Sequence, residues 1–248
     1  MMINPMSLEG KHILITGASS GIGRQCAIQA SRLGGKVTIV ARNEDRLRQT
    51  IAAMDKTESH SYYLADLSNI YSIEDLIKRI VGDCGPVDGF CNAAGISSLR
   101  PLKLVKYDFL ESALRTNLYA FVELVRSLSI KKNLNDKASI VGVSSIAAED
   151  GNPGQTAYSI AKAGINGLIH PVAKELGKRG IRVNNVAFSM VNTDMFKEFM
   201  ENSGSEEMIK KQYLGIVDVE SAANAIMFLL SDASKYVTET VLPVYAGY

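Results

Sequence analysis

The sequence predicts an α/β protein, a doubly wound parallel sheet of about seven strands with helices on both faces. Short apolar runs alternate with helical stretches from one end to the other, and the strands are apolar on both faces. No linker, repeat or low-complexity segment interrupts the alternation, so residues 1–248 read as one domain.

KHILIT (11–16) is an apolar run and reads as a buried strand, followed by a helix from about 21 to 33. KVTIVA (36–41) and SYYLAD (61–66) give the second and third strands, with helical patterns near 43–55 and 72–83. VDGFCNA (87–93) and ASIVGVSS (138–145) are the fourth and fifth, separated by a long helix at about 108–130. A helix over 156–178 leads to a sixth strand, IRVNNVA (181–187). A last helix near 218–231 precedes TVLPVY (240–245), the seventh strand.

Composition excludes several functions. Apolar residues make up 46% and charged residues 21%, the balance of a soluble globular protein. A net charge of +1 gives no strong field for nucleic acid or an anionic membrane. No apolar run approaches the ~20 residues that span a bilayer. The start, MMINPMSLEGK, lacks a signal-peptide pattern, and a cytoplasmic protein is expected. Cys26, Cys84 and Cys91 form no CxxC pair and read as structural thiols. His12, His60 and His170 are too scattered for a metal site.

The first strand runs into Thr16-Gly17-Ala18-Ser19-Ser20-Gly21-Ile22-Gly23. Glycines at 17, 21 and 23 let the backbone turn sharply and approach a ligand closely. The following helix points its N–H groups and positive dipole end at this turn, a ready site for a pyrophosphate. The second strand ends in Ala41-Arg42-Asn43 rather than an acid. An acid there would hold a ribose 2′-hydroxyl, whereas arginine pairs with a 2′-phosphate, so NADP(H) is preferred over NAD(H). Glu44 and Asp45 stand close by.

Tyr158 and Lys162 sit at i and i+4, on one helix face. Ser145 lies thirteen residues before Tyr158, at the end of the fifth strand, and Asn117 lies on the long helix before it. A carbonyl that accepts hydride at carbon needs a proton at oxygen, which Tyr158 supplies as general acid, or removes as base in the reverse direction. A free tyrosine titrates near ~10, and bringing it to neutrality takes roughly 4 kcal/mol. An ammonium about 4–5 Å away supplies about 3–4 kcal/mol of that at an effective dielectric near 20, so Lys162 is expected to lower the phenol.

The TGxxxGxG turn, the Asn117–Ser145–Tyr158–Lys162 set, Asp66-Leu67, Asn92-Ala93-Ala94-Gly95 and RVNNVA with Thr193 come in order through almost the whole chain. In these the sequence resembles the short-chain dehydrogenase/reductase family, and is most similar in pattern to the 3-oxoacyl-[acyl-carrier-protein] reductases. The resemblance implies a Rossmann-type sheet and an NADP(H)-dependent oxidoreductase that reduces a carbonyl to a secondary alcohol. It implies cofactor contacts from Gly17, Ser19, Ser20, Gly21, Ile22, Gly23, Arg42, Asp66, Leu67, Asn92, Gly95, Val191 and Thr193, with Thr193 on the carboxamide. Ser20 stands where some NADP-preferring relatives carry a second basic residue.

By the same resemblance Lys162 holds the nicotinamide ribose, Ser145 binds the substrate oxygen, and Asn117 positions a water. A lid is implied over about 190–216, where Met195, Phe196, Phe199, Met200 and Met208 suit an apolar substrate. A homodimer or homotetramer is implied, and Lys131, Lys132 and Arg179 lie roughly where relatives meet an acidic carrier. A 3-oxoacyl thioester, possibly carrier-bound, is the leading substrate. The alternatives are a sugar, polyol, steroid or other secondary alcohol, or a non-catalytic NADP(H)-binding regulator. A serine hydrolase is disfavoured, since Ile146 replaces the closing glycine after Gly142-Val143-Ser144-Ser145 and no histidine fits a triad.

Three departures stand out. Phe188-Ser189 replaces the family's Pro-Gly, Pro171 falls inside the catalytic helix, and TETVLPVYAGY replaces the common TGxxLxVDGG. The first is expected to reshape the substrate pocket, the second to kink the helix, and the third to alter subunit contacts.

Overall fold

The structure, a computed structural model, describes residues 4–203 and 209–248. Residues 1–3, the start of the segment read for a leader, and Met208 of the expected lid lie outside the described residues.

The chain begins β1 (His12–Thr16), α1 (Gly21–Arg32), β2 (Lys36–Ala41), α2 (Glu44–Ala52), β3 (Ser61–Leu64). It continues α3 (Ile73–Cys84), β4 (Val87–Asn92), α4 (Tyr107–Leu114), α5 (Ala120–Ser129), β5 (Leu134–Ser145). It closes with α6 (Thr156–Leu176), β6 (Arg182–Phe188), α7 (Asp194–Ser203), α8 (Val219–Leu230) and β7 (Val241–Val244). The seven strands form one parallel sheet in the order β3-β2-β1-β4-β5-β6-β7. The order reverses between β1 and β4, which opens a crevice above their C-terminal ends.

Both faces of the sheet are buried, as the continuous apolar runs require. In β1, Ile13 and Ile15 pack into one layer and Leu14 into the other. The first layer takes Cys26 and Ala27 of α1, Leu47 of α2 and Ile226 and Met227 of α8. The second takes Ile77 of α3, Leu124 of α5 and Ile165 of α6. Among the described residues no helix is long and apolar enough to cross a membrane, and no group of His, Cys, Asp and Glu could hold a metal.

Two elements differ from expectation. β5 starts at Leu134 rather than 138, because the polar stretch Asn135-Asp136-Lys137 carries no apolar signal yet joins the strand through an irregular register against β4. The long helix is interrupted by a π-helical turn over Arg115–Tyr119. Its cause is Asn117, whose Nδ2 donates to the carbonyl of Ala113 at 3.1 Å. That carbonyl is the one an α-helix would offer to the backbone N–H of residue 117, so the side chain displaces the ladder by one step. Pro171 lies within α6, which runs on from Thr156 to Leu176, and the catalytic pair stands more than two turns before it.

The histidines take structural places. His12 sits between the Thr38 hydroxyl and the carbonyl of Gly85, and burial holds its imidazole below the usual range. His60 accepts from the backbone N–H of Val37, and His170 faces Glu239 at 3.1 Å. Cys26 and Cys91 are buried in the first core layer, where burial pushes the Cys26 thiol up.

Candidate active site

The turn after β1 is shaped by two glycines, Gly17 and Gly23, that exclude a side chain. Gly17 has φ +70°, and a Cβ there would lie 2.6 Å from the backbone nitrogen of Ala94. A Cβ on Gly23 would lie 2.4 Å from the carbonyl oxygen of Gly17. The turn therefore closes on the β4 loop and on its own helix with no room to spare. Ser20 begins α1 without a side-chain cap, and the first turn holds no acid. The positive end of the helix is thus left to face the cleft, which suits an anion.

A cleft of about 810 Å³ opens at this point, along the C-terminal ends of the strands. Of the cofactor residues read from the sequence, Gly17, Ser19, Ser20, Gly21, Ile22, Gly23, Arg42, Asp66, Leu67, Gly95, Val191 and Thr193 line it. Asn92 does not. It is buried at the seam of β1 and β4, where its Oδ1 accepts from the Thr16 hydroxyl at 2.6 Å. Asp66 is held below the usual carboxylate range by the Ser68 backbone and hydroxyl, with Arg42 adding a smaller effect. Thr193 starts α7, its Oγ1 accepting from the Phe196 N–H, and its methyl stands against Gly21 across the cleft.

Arg46 is a lining residue that the sequence reading missed, although a second cation four residues after Arg42 was a visible signal. Glu44 does not oppose it. Its carboxylate pairs with Arg48 at 2.6 Å and accepts from the Tyr62 hydroxyl at 2.8 Å, and neither Glu44 nor Asp45 lines the cleft. Asn152, Gln155 and Tyr248 also line it. Asn152 and Gln155 flank the start of α6, whereas Tyr248 arrives by topology and left no mark in the sequence.

Ser145 ends β5, and Tyr158 and Lys162 rise from the first turns of α6 onto the same face. All three line the cleft. The Lys162 Nζ lies 5.5 Å from the Tyr158 ring centroid and donates to the carbonyl of Val143 at 2.8 Å. With three donors and one spent on Val143, the ammonium retains capacity for ribose hydroxyls. Lys162 is only 4% exposed, and burial lowers it to about 8. Ser145 accepts from the Ala147 N–H at 3.1 Å and hydrogen-bonds the Tyr158 phenol.

The phenol moves opposite to the sequence expectation. Burial raises it to about 12, the Ser145 hydrogen bond opposes that rise, and Lys162 contributes no lowering. The physical reason is orientation. The ammonium donates to the Val143 carbonyl and makes no hydrogen bond to the phenol, so desolvation of the phenolate dominates. Tyr158 consequently keeps its proton through the neutral range.

Asn117 is fully buried behind Gly95, where a Cβ would come 2.9 Å from its Oδ1. Its Oδ1 accepts from Ile96 N, and its Nδ2 donates to Ile96 O and Ala113 O. The side-chain amide is spent on backbone, and it ties the β4 loop to the helical segment of α4 and the π turn. Asn117→Ala removes three hydrogen bonds made by a fully buried side chain to Ile96 and Ala113, at a cost of about 2–3 kcal/mol. The melting temperature is expected to fall by about 4–12 °C in a thermal scan.

Lys131, Lys132 and Arg179 do not stand at this cleft. Lys131 and Lys132 precede β5, a strand of twelve residues, or about 35 Å, whose opposite end carries Ser145. Arg179 is engaged in binding Asp136 and the carbonyls of Ser129 and Leu134.

Comparison with known proteins agrees with this geometry. The enoyl-(acyl carrier protein) reductase family model matches residues 17–248. The 3-oxoacyl-[acyl-carrier-protein] reductase of Vibrio harveyi is 31% identical over 242 residues, covering 98% of both chains. That of Pseudomonas aeruginosa is 33% identical over 246 residues, again covering 98% of each. A dehydrogenase/reductase of Sinorhizobium meliloti superposes with a TM-score of 0.91 at 28% identity, covering 98% of this chain and 96% of the other. A blue fluorescent protein from a metagenomic library, solved in complex with NADPH, superposes at 0.89 and 26% identity, covering 97% and 98%. With a family match across nearly its whole length, the chain belongs to the short-chain dehydrogenase/reductases and is an NAD(P)-dependent oxidoreductase.

Proposed function

We propose that the protein uses NADPH to reduce a 3-oxoacyl thioester to the 3-hydroxyacyl thioester. The observation that carries the reaction is Tyr158, a phenol that holds its proton, hydrogen-bonded to Ser145 on the helix face shared with Lys162. The substrate class rests on the names of the relatives and on the apolar lining contributed by Leu99, Met195, Phe196 and Phe199.

The site fits a nicotinamide dinucleotide. The glycine turn and the uncapped α1 would hold the pyrophosphate, Arg42 and Arg46 the 2′-phosphate, and Lys162 the ribose. When bound, NADPH supplies hydride to the carbonyl carbon. Tyr158 donates its proton to the carbonyl oxygen as negative charge develops there. Ser145 holds that oxygen by a hydrogen bond, and the Lys162 ammonium, anchored on the Val143 carbonyl, keeps the ribose in place beside it.

The NADP(H) preference rests on Arg42 just after β2, on Arg46 in the first turn of α2, and on the diversion of Glu44 to Arg48. Each charge-assisted bond to the phosphate is worth about 1.5–3 kcal/mol. Arg42→Ala is therefore expected to raise KM for NADPH about 10- to 100-fold and leave NADH little changed, with Arg46→Ala in the same direction. An unaltered NADPH/NADH ratio in both variants contradicts the assignment.

Self-association is proposed through α4, α5 and α6, where Tyr107, Tyr119, Val122 and Ile160 are exposed. A mass by light scattering at two or four times that of the chain supports it, and a monomer opposes it. The substrate is tested by NADPH oxidation with acetoacetyl thioester against polyol, steroid and enoyl thioester panels. Turnover of the 3-oxoacyl compound supports the proposal. Tight NADPH binding with no turnover of any substrate favours a regulator.

A further inference from the structure

The two departures from the family pattern near the C-terminal end of the sheet touch each other. Ser189, standing in place of a glycine, donates its hydroxyl to the carbonyl of Tyr245 at 2.9 Å, and its N–H to Val244 at 3.4 Å. Beyond β7 the chain then turns back, with Tyr248 N–H bonded to the same Tyr245 carbonyl at 3.0 Å. Ala246 and Gly247 carry this turn at φ +52° and +79°, a left-handed pair that costs a non-glycine residue about 1 kcal/mol. Such a conformation persists where its surroundings hold it.

The surroundings here are specific. The Leu214 N–H bonds to Ala246 O at 3.0 Å, and Gly247 presses on the Tyr213 ring, where a Cβ would come within 2.6 Å. Lys211 places its ammonium 5.2 Å from the centroid of the Tyr248 ring. The result is that Tyr248 is half-buried and lines the same cleft as Leu99, Met195, Phe196, Phe199 and the catalytic trio.

We propose that Tyr248, latched in place by Ser189, is the specificity-determining end wall of the substrate compartment and limits the length of the apolar chain attached to the reacting carbonyl. This rests on the reading of the cleft as a carbonyl-reducing site. It adds a residue that selects substrate without taking part in proton transfer. A single methylene admitted or refused by an apolar pocket changes kcat/KM about tenfold or more, so a displaced ring is readable in a chain-length profile.

The test uses two substrate series in parallel, straight-chain 3-oxoacyl thioesters and straight-chain 2-alkanones, each from four to twelve carbons, with NADPH. The readout is the ratio of kcat/KM for long over short members. Tyr248→Ala is expected to raise that ratio at least tenfold, Tyr248→Phe to preserve it, and Ser189→Gly to raise it by a lesser amount. Ratios equal to those of the native protein in Tyr248→Ala overturn the proposal, as does an equal change in Tyr248→Phe, which would assign the effect to the hydroxyl. Activity on alkanones without activity on any thioester refutes the thioester reading while the alkanone ratios still decide the role of Tyr248. No carbonyl turnover by the native protein in either series overturns both.

Discussion

Tyr158→Phe is expected to lower kcat for carbonyl reduction about a thousandfold while NADPH still binds. The ring remains to fill its place on α6, and Lys162 keeps its bond to Val143. What disappears is the one acidic proton held against Ser145 at the cleft. Proton transfer by a positioned group contributes ~10²–10⁴-fold. Single-turnover NADPH oxidation measures the loss, and fluorescence titration of NADPH confirms that binding survives.

The pH profile follows from the same pair. Tyr158 is raised to about 12 and is protonated as an acid catalyst throughout the neutral range. Lys162 is lowered to about 8, so its ammonium is present below that pH and lost above it. Reduction is therefore expected to be fastest on the acid side of about 8 and to fall as pH rises through that value. A kcat–pH curve rising through the same interval would contradict this.

Gly23→Ala is expected to damage cofactor binding and stability together. The added methyl would lie 2.4 Å from a backbone oxygen of the same turn, which cannot swing aside as a side chain would. Either α1 retreats from the turn or Gly17 moves, and Gly17 is itself packed so closely on the β4 loop that a Cβ there would lie 2.6 Å from the Ala94 nitrogen. Overpacking of this kind costs about 2–3 kcal/mol, or about 4–12 °C in melting temperature for a chain of this size. Because the shift occurs at the pyrophosphate turn, NADPH affinity is expected to weaken at least tenfold. Calorimetric melting and NADPH titration read the two effects separately.

Much of this architecture was legible in the residues. Continuous apolar runs such as Ile13-Leu14-Ile15 required a sheet covered on both faces, and the glycine spacing marked the turn where the cleft opens. The i, i+4 pair Tyr158 and Lys162 placed two groups on one face because helical geometry leaves no alternative. What escaped depended on orientation or on distant topology. The spacing of Lys162 says nothing of its turn toward Val143, which reverses the direction of the Tyr158 shift. Asn117 reads as a helix residue until its amide is seen to capture the Ala113 carbonyl and break the ladder. Tyr248 reaches the cleft only because β7 lies beside β6, which puts it near Ser189, fifty-nine positions away in the chain.

The account stands on a carbonyl being reduced at the Tyr158 phenol, and product stoichiometry tests that most directly. Native protein incubated with NADPH and acetoacetyl thioester is expected to form one 3-hydroxybutyryl thioester for each NADPH consumed. Cofactor that binds tightly and is never oxidised, across every carbonyl offered, would contradict it.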